Sequence, residues 1–423
     1  MHNSTHPAIP SLFKSISVLL LLASPVALIQ AQESEEEMWV GAYLASWEHF
    51  VMPTGNWGTL PTNDIDWDAF THLYYFALNV RGDGVVSEIR PWHNMSPDRV
   101  QAIVSAAHQN RTPVLVSVGG WGNYDGFSSA ITPSIRRIFI RNLIQVLRRW
   151  GFDGIDLDME PIRDSDVDNY KAFVRELYDE LQQFRTPMSP RPLLTAATAW
   201  QPDLFSELQQ YFDQINLMTY DLSGAWEGWV VWHNSSVYSA GMTFPGTDRP
   251  LPSVDRMVQE FLDAGVEKKK IGIGIDFYGY VWQGGSGTDT GGVTRPGQSW
   301  EIPPSVTDNV PYYTIMEHYY REQYYRWDSD AGATYLSIDR PGSSRDFFIS
   351  YEDERAIEEK IRYAHNNELG GVFIWELAGG YLRNKPKGQR DLLLTFVRET
   401  VQNRHRLFST DKRIQPLRTS ENN

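Results

Sequence analysis

Asp156, Asp158 and Glu160 stand two residues apart in the stretch Phe152-Asp153-Gly154-Ile155-Asp156-Leu157-Asp158-Met159-Glu160-Pro161. On an extended strand, residues two apart share a face, with about 6.6 Å between same-face neighbours. The three carboxyls therefore point one way, and Ile155, Leu157 and Met159 point the other. An apolar reverse face belongs against helices, which turns the acids toward an interior. Neighbouring carboxyls there cannot all ionise cheaply, so protons are shared and at least one pKa rises. A side chain able to donate a proton near neutral pH is made in this way. Two other readings compete at this point. One is a surface strand with a solvated acidic face; the other is a divalent-metal site of three carboxylates.

Such a strand needs neighbours, and the sequence supplies them. Short apolar runs recur at Trp39–Ala45, His72–Asn79, Val114–Gly119, Gly154–Met159, Leu193–Thr198, Gln214–Thr219, Ile271–Ile275 and Val372–Glu376, eight in all. Near-continuous apolarity suits parallel strands buried on both faces. Most runs are followed by helix signals. Ser96-Pro97 starts a helix reaching about Gln109, and Thr132-Pro133 one reaching Trp150. Asp164 to Phe184, Ser253 to Ala264 and Glu352 to Asn367 read as further helices. The expected fold is α/β: a (β/α)8 TIM barrel. Between the seventh and eighth runs, Phe277 to Ser350 is too long for one connection. It carries a Gly/Ser/Thr-rich stretch and tyrosine patches, and reads as a small α+β insertion (about 277–350) beside the barrel mouth.

Composition bounds what the barrel does. The chain has 423 residues, a net charge of −15 and no cysteine. Disulfide scaffolds, thiol nucleophiles and zinc-thiolate sites are excluded. The acidic balance argues against nucleic acid or an anionic membrane as partner. Lys14, the apolar run Ile16 to Ile29 and small Ala31 describe a secretory signal peptide over residues 1–31, so the protein is expected to be secreted, extracellular or periplasmic. The barrel then covers 32–402, and 403–423 reads as a polar, disordered tail. The 13% of aromatic residues exceeds what a core needs and offers candidates for a binding groove.

Asp153-Gly154-Ile155-Asp156-Leu157-Asp158-Met159-Glu160 resembles the D-x-x-D-x-D-x-E signature of glycoside hydrolase family 18, the chitinase family. Further segments are similar to that family in the same order along the chain. They are Ser117-Val118-Gly119-Gly120-Trp121, Met218-Thr219-Tyr220-Asp221, the loop through Trp226 and His233-Asn234-Ser235, Gly272-Ile273-Gly274 with Phe277-Tyr278-Gly279, and Gly370 to Leu377. The likeness spans nearly all of residues 38–400.

The resemblance implies a retaining chitinase in which the substrate's own N-acetyl group is the nucleophile. It implies Glu160 as proton donor, Asp158 as the group holding the acetamide, and Asp156 as its proton-sharing neighbour. Tyr220 would bond the acetamide carbonyl, Asp221 the substrate or the acid, and Met218 would pack under the acetyl group. Trp375 would floor the sugar site. Tyr43 and Ser117 are candidates for bonds to the ladder, and Trp47, Trp121, Trp226 and Trp229 for lining the groove. Asp153, at the other parity of the strand, reads as structural. No cofactor and no metal is implied; the partner is chitin or a chito-oligosaccharide, and a monomer is expected. The sequence departs from the pattern at Asp276 (proline is common), Tyr280 (arginine) and Ala378 (an acid). Two alternatives stay open: an endo-β-N-acetylglucosaminidase acting on N-glycans, and a chitinase-like lectin that binds without cleaving.

Overall fold

The computed structural model describes residues 37–50, 59–87, 95–340 and 345–408. The signal segment at 1–31 lies outside them. Eight parallel strands close on themselves: Trp39–Ala45, His72–Val80, Val114–Gly119, Gly154–Asp158, Leu193–Thr198, Gln214–Leu217, Ile271–Asp276 and Gly371–Trp375. Each pairs with its neighbours in chain order, and the first pairs with both the second and the eighth. This is a (β/α)8 barrel, and nearly every strand residue is buried.

Register decides what the interior contains. Ser117 lies opposite Asp156, and Asp156 opposite Thr195, so three adjacent strands present polar groups at one level. Outside, the helices bury one stripe each. Arg136–Trp150 turns Phe139, Ile140, Leu143, Ile144 and Leu147 inward and stops at Gly151, whose positive φ of 75° suits a helix end. Val167–Leu181 packs beside it, with Phe139 and Phe173 stacked at 5.0 Å. Ser253 and Asp353 cap the helices Val254–Asp263 and Glu354–Asn366 through side-chain bonds. No helix among the described residues is long and apolar enough to cross a membrane.

Between the seventh and eighth barrel strands lies a five-stranded antiparallel sheet. Its spatial order is Ser305–Pro311, Tyr278–Gln283, Phe347–Tyr351, Ala333–Ile338 and Tyr325–Asp328, and the helix Tyr312–His318 accompanies it.

Two expectations need correction. Thr132-Pro133 does not start the third helix, which begins at Arg136; the Thr132 hydroxyl instead donates to the Ser129 carbonyl at the end of the separate helix Tyr124–Ala130. The chain from Asn403 is not all tail, because the final helix Leu392–Phe408 continues through it and buries Arg404 and Phe408. Residues 409–423 lie outside the described part.

Gly119 ends the third barrel strand with φ 111°, and a Cβ there would sit 2.1 Å from the Asp158 carbonyl oxygen. Gly119→Ala should cost about 1–3 kcal/mol, because the backbone is both strained for an L-residue and blocked. Urea unfolding of the two proteins at one temperature measures it, and an unchanged midpoint would contradict the geometry.

Candidate active site

The ladder sits at the C-terminal mouth of the barrel. Asp158 ends the fourth strand and Glu160 lies just beyond it. Asp156, deeper and without solvent access, is met by three hydroxyl donors. Tyr43 and Ser117 each donate to Oδ2 at 2.9 Å, and Thr195 donates to Oδ1 at 2.7 Å. Burial pushes its pKa up while these bonds pull it back. Asp158 has less help. Its Oδ1 is buried and receives no N–H or hydroxyl from the described residues. Burial, then the charges of Glu160 and Asp156, drive its pKa well above the carboxylate range. A carboxyl–carboxyl hydrogen bond joins it to Glu160, which also accepts the Trp121 N–H. Burial and the nearby Asp221 push Glu160 up to about 7, against the lowering effect of those two bonds. The arrangement shares a proton within the Asp158–Glu160 pair, with Glu160 at an opening to solvent.

Tyr220 and Asp221 face this pair from the sixth strand's end. Gly274 makes room for the Tyr220 ring, since a Cβ there would lie 2.5 Å from it. Asp221 adopts φ 58°, a left-handed conformation that Asp tolerates. Its N–H donates to Asn234 Oδ1 at 3.1 Å, and Tyr278 donates to its carboxylate at 2.6 Å. Tyr280 bonds it as well. Where the resemblance leads one to expect an arginine, Asp221 therefore meets two phenols. Although it opens to solvent, desolvation by the cleft walls raises its pKa above the ordinary value.

The aromatic candidates divide. Trp375 is half-buried, edge-on to Phe76 at 4.7 Å and 5.6 Å from the Tyr43 ring. Met218 and Tyr220 share an apolar cluster with Tyr43, Tyr278 and Phe373. Trp121 and Trp226 leave 77% and 52% of their surface open, as a sugar-stacking ring requires. Trp47, part-exposed, packs edge-on against Phe76, and Trp229, part-exposed, lies between Trp226 and Phe244. Asp153 is remote from the mouth; it accepts from Val114 N–H at 3.0 Å and pairs with His108 at 2.8 Å. Thr195 and Tyr278 were not singled out from sequence as ladder or Asp221 partners. Thr195 shares the strand level of Asp156, which only the register reveals. Among the described residues, no group of three or more His, Asp or Glu is placed to hold a metal ion.

Because Glu160 releases its proton near 7 when folded and near its ordinary value of 4.5 when unfolded, the folded state binds more protons between those values. Its contribution to stability is present below pH 4.5 and is lost as pH rises through 7. Glu160→Gln removes this loss. The variant should gain stability over the parent progressively from about pH 5 to 7, by about 1–3 kcal/mol, and level off above. Paired urea melts across that range check it; a flat difference would contradict the raised pKa.

The model of the glycosyl hydrolases family 18 matches residues 43–380. Chitinase A1 of Niallia circulans is 31% identical over 298 residues, which cover 64% of this chain but only 41% of that protein. Endochitinase 1 of Metarhizium robertsii is 26% identical over 412 residues, covering 87% of this chain and 89% of the relative. The group IV chitinase of Ostrinia furnacalis, solved with allosamidin, superposes with a TM-score of 0.71 at 21% identity, covering 87% of this chain and 99% of that one.

Proposed function

The chain belongs to glycosyl hydrolase family 18, and from that premise we propose that it is an exported chitinase hydrolysing β-1,4-linked N-acetylglucosamine with retention of configuration. The observation that carries this is the Asp158–Glu160 pair: one carboxyl raised to about 7 at a solvent-open cleft, hydrogen-bonded to a second that burial and its carboxyl neighbours also raise. A retaining mechanism with two protein carboxylates needs a separate nucleophile about 5–5.5 Å from the acid. Here both neighbours of Glu160 on the strand are buried, one raised above the carboxylate range and the other tied by three hydroxyls, which suits a nucleophile carried by the substrate.

In this reading Glu160 protonates the glycosidic oxygen as the bond to C1 breaks, and the substrate's acetamide carbonyl oxygen attacks C1 from the opposite side. Asp158 accepts the acetamide N–H and stabilises the oxazolinium ion that forms. Asp156, tied by three hydroxyls, gives Asp158 a fixed neighbour. Tyr220 orients the acetamide, Met218 supports its methyl group, and Trp375 floors the ring. Water, deprotonated by Glu160, then opens the oxazolinium and restores the configuration. The exposed Trp121 and Trp226 extend the groove beyond the scissile bond. Residues 1–31 direct export, as their basic start, apolar run and small-residue end suggest.

A time course of products from chitin oligomers of several lengths tests the substrate class and cleavage together; no turnover would refute the reading. Glu160→Gln should lower kcat at least about a thousandfold while chito-oligosaccharide binding, followed by calorimetry, persists. Since the acid must be protonated in the free enzyme, kcat/KM should decline as pH rises through about 7. Activity should survive EDTA, and loss restored by a divalent ion would revive a metal-dependent site.

A further inference from the structure

Lys360 lies on the helix Glu354–Asn366, outside the barrel, yet its side chain has no solvent access. A buried ammonium must be met from all sides. Its Nζ donates to Ser235 Oγ and to the Gly274 carbonyl, each at 2.6 Å. It lies 3.3 Å from Asp276 Oδ1 and pairs with Glu352. From there the bonds run toward the cleft. Asp276 Oδ2 accepts from Asn234 Nδ2 at 2.7 Å, and Asn234 Oδ1 accepts the Asp221 N–H at 3.1 Å. The Asn234 carbonyl accepts the Leu222 N–H at 3.0 Å, and the Ser235 hydroxyl donates to the Thr219 carbonyl. The backbone on both sides of Tyr220 is thereby tied to one buried cation.

Ionic groups buried in this way add little net stability compared with apolar residues of the same volume. What they do impose is geometry, because each bond has a direction and each unmet partner is costly. Here that geometry converges on the left-handed turn at Asp221, whose backbone it holds while Tyr278 and Tyr280 hold the carboxylate. Asp276, at a position where the family resemblance leads one to expect proline, is the link without which Lys360 would not reach Asn234.

We propose that Lys360 is a positioning residue for the Tyr220–Asp221 turn, acting through Asp276 and Asn234. This rests on the catalytic reading above, in which Tyr220 and Asp221 must stand at fixed places around the Asp158–Glu160 pair.

Two variants test it. Asn234→Ala cuts the relay while leaving the ammonium and both carboxylates in place. The double variant Lys360→Met, Glu352→Gln removes the buried cation together with its carboxyl partner. Either folded variant should lose about a hundredfold in kcat on a chito-oligosaccharide, with KM changed only a few-fold, as a shift of about 1 Å in a positioned group would cause. The alkaline limb of its pH profile should also move to lower pH. Asp158, Asp221 and Tyr220 are the titratable groups facing Glu160, and of these Asp221 raises its pKa by charge; moving Asp221 away releases that effect. A merely structural role would leave this limb in place. Titration of Glu160 by carboxyl carbon-13 resonance reads the same downward shift without turnover. An inactive parent would thus refute the chitinase reading alone. An unshifted Glu160 titration, or a variant that unfolds cooperatively and keeps the parent's kcat and pH limb, would overturn the positioning role. Should the double variant not fold, Asn234→Ala decides.

Discussion

Moving a carboxylate from water into an apolar interior costs several kcal/mol unless its oxygens meet donors or its proton stays on. Three carboxyls on one strand press that requirement at three depths, and each is met differently. At the deepest, Asp156 takes hydroxyls from Tyr43, Ser117 and Thr195, on the first, third and fifth strands. A closed barrel is what brings these strands around one point. Nearer the mouth, burial and the neighbouring carboxyls hold Asp158 well above the carboxylate range, and no such set of donors pulls it back. At the rim, Glu160 has partial access to water and one backbone donor, and so comes to lie near neutrality. A gradient of hydration along a single strand thus sorts three acids of the same chemistry into three protonation behaviours.

The same economy governs the walls. Parallel strands joined through external helices leave the interior crowded, so ring and carboxyl compete for space with the backbone. Gly274 yields the volume that Tyr220 occupies, and Gly119 yields the place of the Asp158 carbonyl. Across the cleft, Asp221 is held by phenols rather than by a guanidinium. Phenol hydroxyls bond a carboxylate without neutralising it. The charge that Asp221 presents to Glu160 is therefore left uncompensated on its own side, which contributes to the raised acid.

Much of this could be read from residues alone, and the parts that could not have a common cause. The barrel runs were legible because strands buried on both faces leave an uninterrupted apolar signature. The ladder was legible because a strand's period of two is unambiguous where acids alternate with Ile155, Leu157 and Met159. Thr195 was not, since a threonine within an apolar run looks like any β-branched strand residue until register sets it opposite Asp156. Lys360 was not, because a lysine on a charged helix reads as solvated; the buried carboxylates that receive it are 84 residues earlier, at Asp276, and at Glu352 on the preceding segment. Thr132-Pro133 misled for a related reason, its hydroxyl serving the helix before it and not the one after. Local pattern specifies faces and periods, whereas partners chosen across the fold leave no local trace.

The antiparallel sheet between the seventh and eighth barrel strands is entered through Tyr278–Gln283 and left through Phe347–Tyr351, and these two strands are hydrogen-bonded neighbours from Gly279 opposite Tyr351 to Gln283 opposite Phe347. Its ends therefore leave the barrel as a paired stem, whatever lies between them. Lengthening or trimming the material beyond such a stem changes closure entropy only logarithmically. Loops at the far edge of this sheet can accordingly change length at small entropic cost without disturbing the strand that carries the acids.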